Sequence, residues 1–100
     1  MRRFQVVEES MLPTLRPGDV VVARPDAAPE PGSVVILPHP RIEGMWIVKR
    51  LAAVSGGEAW VESDNADSTL ADSRTLGWLP TERLHRALFR YRRPLSFTRL

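Results

Sequence analysis

Apolar positions along the chain come in short runs, separated by turns rich in proline and glycine. Phe4-Gln-Val-Val7, leading into Glu8 and Glu9, predicts a first strand. Asp19-Val-Val-Val-Ala23 predicts a second, and its unbroken apolar character predicts burial on both faces. Pro31-Gly-Ser-Val-Val-Ile-Leu37 echoes Pro17-Gly-Asp-Val-Val-Val22 at an offset of 14 positions. Two occurrences indicate one turn-and-strand device used twice, not a repeat architecture, and the two units are expected to frame a cleft. Trp46-Ile-Val-Lys-Arg-Leu51 is rich in β-formers, so Ile47, Lys49 and Leu51 point one way and Trp46, Val48 and Arg50 the other. Gly56-Gly57 is a tight-turn signal, after which Ala59-Trp-Val-Glu62 returns antiparallel. Residues 64–76 are polar and turn-prone. Beyond Trp78-Leu-Pro80, Leu84, Leu88 and Tyr91 fit a helical face, whereas Ala87, Phe89 and Tyr91 fit a strand; the preceding turn favours the strand. With nine prolines and no amphipathic segment beyond about three turns, the pattern predicts an all-β fold of short strands with proline-rich loops.

Composition narrows this picture. One hundred residues make a single domain, 1–100, burying on the order of two-thirds of its unfolded surface. Cysteine is absent, so there is neither a disulfide nor a thiolate nucleophile. His39 lies in a Pro-His-Pro loop and His85 among arginines, neither with a second ligand at metal spacing; no metal or cofactor is expected. No apolar run reaches the roughly 18 residues of a membrane span, and none near Met1 has the length of a signal peptide. The chain is expected to be cytoplasmic or peripheral to a membrane.

Charge is segregated. The segment 83–100 holds six arginines and no acid, against eight basic and twelve acidic side chains before it, a net of −4. A basic strand or arm of this kind could touch an anionic membrane surface, with nucleic acid the lesser expectation. More often such a segment is a solvated edge that keeps an outer strand from pairing with a neighbour.

The basic residues comprise thirteen arginines and one lysine, Lys49. Arginine keeps its proton in proteins, whereas lysine can lose one when desolvated, as it would between Ile47 and Leu51. A neutral amine needs a nucleophile to serve. Glu8-Glu-Ser-Met-Leu-Pro-Thr-Leu-Arg-Pro-Gly-Asp19 offers Ser10, held by Pro13 and by a Pro17-Gly18 pair suited to the centre of a type II turn. Serine is a weak nucleophile until a base takes its proton. Ser10 and Lys49 are therefore a candidate pair; a solvated lysine beside a turn serine is the alternative.

Three segments carry a resemblance. ESMLPTLRPGDVVVA resembles the nucleophile box of the type I signal peptidases, the serine/lysine proteases of the S26 family. WIVKRL resembles their lysine box, and SDNADSTLADSRTLGWLP their third box. The boxes stand in the family's order over residues 10–80. The resemblance implies a coiled-sheet or barrel-like catalytic core, with Ser10 as nucleophile and Lys49 as general base. It implies an oxyanion donor at the Ser10 amide, with support from Met11. Asp64 and Asn65, then Asp72, Ser73 and Arg74, would brace the site, Asp72 and Arg74 as an ion pair.

Three positions depart from the pattern. Glu8 stands where the family usually has Ser or Gly, and a carboxylate there cannot donate to an oxyanion. The family's lysine-orienting hydroxyl falls on Leu70, leaving Ser68 or Thr69 to substitute. Ser55-Gly56-Gly57-Glu58 replaces the usual Gly-Asp. Within the family, the short chain, the SDN in place of GDN and the arginine-rich end are most similar to the small proteases that mature nickel-type superoxide dismutase. The implied activity is serine endopeptidase cleavage of a leader-bearing precursor after small side chains. A non-catalytic β module binding through its basic end is the second reading, and a related self-cleaving repressor core the third.

Overall fold

The computed structural model describes residues 1–25, 28, 30–68, 72–94 and 96–100. Among them run β1 (Arg2–Gln5), β2 (Val20–Arg24), β3 (Val34–Pro38), β4 (Trp46–Ser55), β5 (Glu58–Glu62), α1 (Ser73–Leu76), β6 (Leu79–Pro80), β7 (His85–Arg92) and β8 (Ser96–Arg99). All eight strands belong to one antiparallel sheet, ordered β1-β2-β7-β3-β4-β5-β6, with β8 paired to β7. The sheet curls into a half-barrel, and the fold is all-β as the apolar pattern predicts.

The two Pro-Gly units form the same turn. Asp19 N–H donates to Arg16 O at 3.0 Å and Ser33 N–H to Glu30 O at 3.1 Å. Gly18 and Gly32 have φ of 95° and 94°, the left-handed conformation that the third position of a type II turn requires. Their strands then diverge. In β3 every residue from Val34 to Leu37 is buried: Val34 and Ile36 pack with Phe4, Met11, Leu15 and Val21, whereas Val35 and Leu37 pack with Ile47, Leu51, Val61 and Leu79. β2 alternates instead, with Val21 and Ala23 buried and Val20 and Val22 half-buried. Burial on both faces was expected of Asp19–Ala23 and is realised in β3. Near the rim of the sheet β2 has a core on one side only, whereas β3 lies between two cores.

Three further expectations shift. The first strand ends at Gln5, not Val7, and the chain continues beside the turn through Val6 N–H to Asp19 O and Gly18 N–H to Val6 O, both 2.8 Å. The residues 73–76 of the polar loop form a single helical turn, capped by Asp72. The basic segment divides: β7 lies inside the sheet, paired with β2, β3 and β8, whereas β8 pairs only with β7 and is exposed throughout, the solvated edge that the arginine-rich end suggested. Four of the segment's six arginines are engaged within the fold. Arg92 pairs with Asp19 at 2.7 Å, Arg86 with Glu30 at 3.3 Å, Arg90 bonds Thr98, and Arg83 lies 5.2 Å over the Trp46 ring.

The β4–β5 hairpin turns at Gly56-Gly57, with φ of 57° and 78°, both positive as a type I′ turn demands. Its register is regular from Ser55↔Glu58 to Ala53↔Trp60, then slips by one residue, so that Leu51 faces Val61 and Arg50 faces Glu62. Ala52 is the extra residue of this bulge.

Candidate active site

Strand alternation places Ile47, Lys49 and Leu51 on the buried face of β4 and leaves Trp46, Val48 and Arg50 half-buried. Lys49 is only 2 % exposed, and its cross-strand partner in β3 is Val35. Beyond Arg50↔Glu62, the slipped register brings Lys49 opposite Ser63, and Lys49 Nζ donates to Ser63 Oγ at 3.1 Å. Desolvation by this burial holds the lysine pKa below its ordinary value. Asp72 and Glu8 pull it back up and Arg74 pushes it down. Burial prevails, which is the direction a base requires.

Ser10 is 5 % exposed, in the turn that follows β1. Leu12 N–H donates to Glu9 O at 3.2 Å and Leu15 N–H to Met11 O at 2.9 Å, and the Leu12–Pro13 peptide is cis. Neither the Ser10 nor the Met11 amide finds an acceptor among the described residues, so both are free to donate to a bound group. Ser10 and Lys49 line one cavity of about 250 Å³. Its walls are mainly apolar, from Val6, Met11, Ile42, Met45, Trp46 and Ile47. The cleft is thus framed by residues 5–11, β4 and the 39–45 loop, and not by the two Pro-Gly units as their echo suggested.

One tripeptide ties the two candidate residues together. Ser63 holds the lysine. Asp64 accepts from Thr14 Oγ1 at 2.7 Å and from Arg50 Nε and Nη2 at 3.1 and 2.7 Å, anchoring the serine turn to β4. Asn65 N–H donates to Ser10 O at 2.8 Å, and its side-chain amide donates to Glu9 O at 3.0 Å. Burial would raise the Asp64 pKa, but the bonds from Arg50 and Thr14 outweigh it and hold the carboxyl ionised.

Asp72 supports this tripeptide from behind. Its carboxylate accepts from Ser63 N–H at 2.9 Å, from Arg74 N–H at 2.9 Å and from the Arg74 guanidinium at 2.8 Å. Burial opposes ionisation here also, yet the Arg74 side chain and the Ser63 and Arg74 amides lower its pKa to about 2. Ser73 Oγ accepts from Val61 N–H at 2.8 Å, fixing the end of β5.

The structure therefore brings Ser10, Met11, Lys49, Asp64, Asn65, Asp72, Ser73 and Arg74 into one connected region. The hydroxyl on Lys49 belongs to Ser63, which the sequence reading passed over. Ser68 closes a turn through its N–H to Asn65 O at 3.1 Å, and Thr69 lies outside the described residues. Thr14 and Arg50 were also missed. Ser63 could be found only from the bulge: a regular Gly56-Gly57 hairpin would set Lys49 opposite Asp64. Among the described residues, no three His, Asp or Glu side chains cluster so as to hold a metal ion. Nor is any helix long and apolar enough to cross a membrane.

No curated protein matches the chain. Residues 3–74, which include Ser10, Lys49, Ser63 and Asp72, match a family described as Peptidase S24-like. The match is to this family and not to the S26 signal peptidases that the three boxes resemble. An all-β half-barrel whose match runs over about seven-tenths of its length establishes a serine-peptidase-like fold, and the chain belongs to the Peptidase S24-like family.

Proposed function

We propose that the protein is a serine endopeptidase in which Lys49 is the general base for Ser10. The observation that carries this reading is the buried lysine. It lines the same cavity as Ser10, is held by a neutral hydroxyl in place of a carboxylate, and has its pKa lowered by desolvation. Neutral Lys49 takes the Ser10 proton as Oγ attacks a peptide carbonyl. The Ser10 amide, with that of Met11, donates to the oxyanion, and protonated Lys49 then passes its proton to the departing amine. Water activated by the same lysine hydrolyses the acyl-enzyme, returning Ser10 and Lys49 to their starting states. The mainly apolar cavity suits an extended peptide with small side chains. No metal or cofactor enters these steps.

The substrate we propose is a leader-bearing precursor, that of nickel-type superoxide dismutase being the first to try. The test is the intact mass of such a precursor after co-expression with the parent protein, Ser10→Ala or Lys49→Arg. Cleavage at one bond by the parent alone supports the reading, whereas cleavage persisting in both variants refutes the Ser10/Lys49 mechanism. An uncut precursor rejects this substrate. If signal-peptide substrates also stay intact, the binding-module reading replaces it; Glu8, poorly suited to an oxyanion site, is the residue that favours that alternative.

A further inference from the structure

The cleft contains a carboxylate that the proposed chemistry does not use. Glu8 lines the cavity with Ser10 and Lys49, is exposed, and makes no ion pair among the described residues. The other titratable groups on the cavity wall are Lys49, which must be neutral to act, and His39. His39 Nδ1 accepts from the Arg41 and Ile42 amides at 3.0 and 3.2 Å, so that nitrogen is occupied within its own loop. Glu8 is therefore the acidic group of the cleft among the described residues, set against mainly apolar walls.

We propose that Glu8 selects substrates bearing a cationic side chain, Arg or Lys, within about three residues of the scissile bond. This rests on the Ser10/Lys49 reading. The spacing follows from chain geometry. One residue, Glu9, separates Glu8 from Ser10, so their Cα atoms lie at most about 7 Å apart, and an extended peptide advances about 3.3 Å per residue. A side chain reaching Glu8 while its backbone passes Ser10 must then leave the peptide within two or three positions of the reacting carbonyl.

Charge makes the selection useful to catalysis as well as to binding. An unpaired carboxylate beside Ser10 repels a developing oxyanion and favours protonated Lys49. A substrate cation paired with Glu8 cancels both effects, so the correct substrate brings the charge that its own cleavage requires. A substrate without one leaves the carboxylate opposing the reaction.

The test uses blocked ten-residue Ala/Val peptides carrying one arginine scanned along the sequence, each matched by its citrulline counterpart of the same shape without charge. For the parent, kcat/KM should be about tenfold higher for arginine at the best position, the order expected of a charge-assisted pair in a partly desolvated cleft. The ratio should fall as salt is raised. It should approach one in Glu8→Gln and be restored in Glu8→Asp; because the ratio is taken within each protein, a general loss of activity does not enter it. Binding of the same peptides to Ser10→Ala, followed by fluorescence anisotropy, gives the preference without turnover. Cleavage with a ratio of one at every position overturns this inference and leaves the peptidase reading intact. Preferential binding that vanishes with Glu8→Gln, without any cleavage, upholds recognition by Glu8 and rejects the peptidase reading. Silence in both measurements rejects both.

Discussion

Two kinds of buried charge occupy this small molecule, and they are treated differently. Asp19 accepts from Arg92 at 2.7 and 2.8 Å, Asp64 from Arg50, and Asp72 from Arg74, so each of these three carboxylates has a guanidinium of its own. Lys49 has a serine hydroxyl. Asp72 lies close enough to raise the lysine pKa, but Arg74 beside it acts in the opposite sense. The fold thus keeps these carboxylates ionised and its one lysine poised to lose a proton. A paired charge is a structural part, whereas an unpaired one is costly to bury and is retained at reactive positions.

Lys49→Met breaks the contrast most sharply. Cleavage should fall by roughly 10²–10⁴-fold, the range for loss of a general base, while the melting temperature rises because a desolvated amine gives way to an apolar side chain of similar length. A melting temperature that falls with activity would mean that the lysine is a structural part after all. Asp19→Ala should act in the opposite direction. It strands the Arg92 guanidinium and the Arg16 amide and should lower stability by about 3 kcal/mol in urea unfolding. Asp72→Ala should cost less, about 1–2 kcal/mol, because Arg74 is half exposed and can turn to water; the Ser63 and Arg74 amides and the cap of α1 are what is lost.

Acidity separates the two kinds of charge in one titration. Asp72 has its pKa lowered to about 2, so its contribution to stability is present above the ordinary carboxyl range near 3.8 and is lost as pH falls through about 2. For Lys49 the folded pKa also lies below the unfolded one, but the group is a cation. The unfolded chain binds the proton more readily, so stability rises with pH between the folded value and 10.5. Cleavage should rise with pH through that folded value. The smallest effect is expected from Glu8→Gln, which removes a carboxylate that favours protonated Lys49 and should move the acid limb of the kcat/KM profile to lower pH. An unmoved limb would show that Glu8 does not act on the lysine.

Much of this arrangement was legible without coordinates. Period-two alternation gave the buried face of β4, and the rarity of lysine among thirteen arginines pointed to Lys49. Pro17-Gly18 and Pro31-Gly32 specified their turns because only glycine takes φ near 95° there without strain. The burial of the strands that follow was not legible from the same local sequence. Val20–Arg24 and Val34–Pro38 look alike, and only their positions in the sheet decide that one is buried on one face and the other on both. The basic segment divides for the same reason, since composition reports charge and not that Arg92 and Arg86 meet Asp19 and Glu30 while β8 stays exposed at the edge.

Sequence by itself determined the local chemistry of this protein: tight turns from proline and glycine, strands from alternating apolar residues, one serine in a restrained turn and one lysine among apolar neighbours. These follow from backbone sterics and side-chain type, which act over a few residues. Tertiary structure alone decided which hydroxyl meets the lysine. The slip at Ala52 sets Lys49 opposite Ser63, where an unbroken ladder would have faced it with Asp64. Such an ion pair would favour the protonated amine, whereas the hydroxyl leaves desolvation to lower its pKa. A one-residue change in register exchanges the faces of a strand, and no count of residue types along the chain reports it.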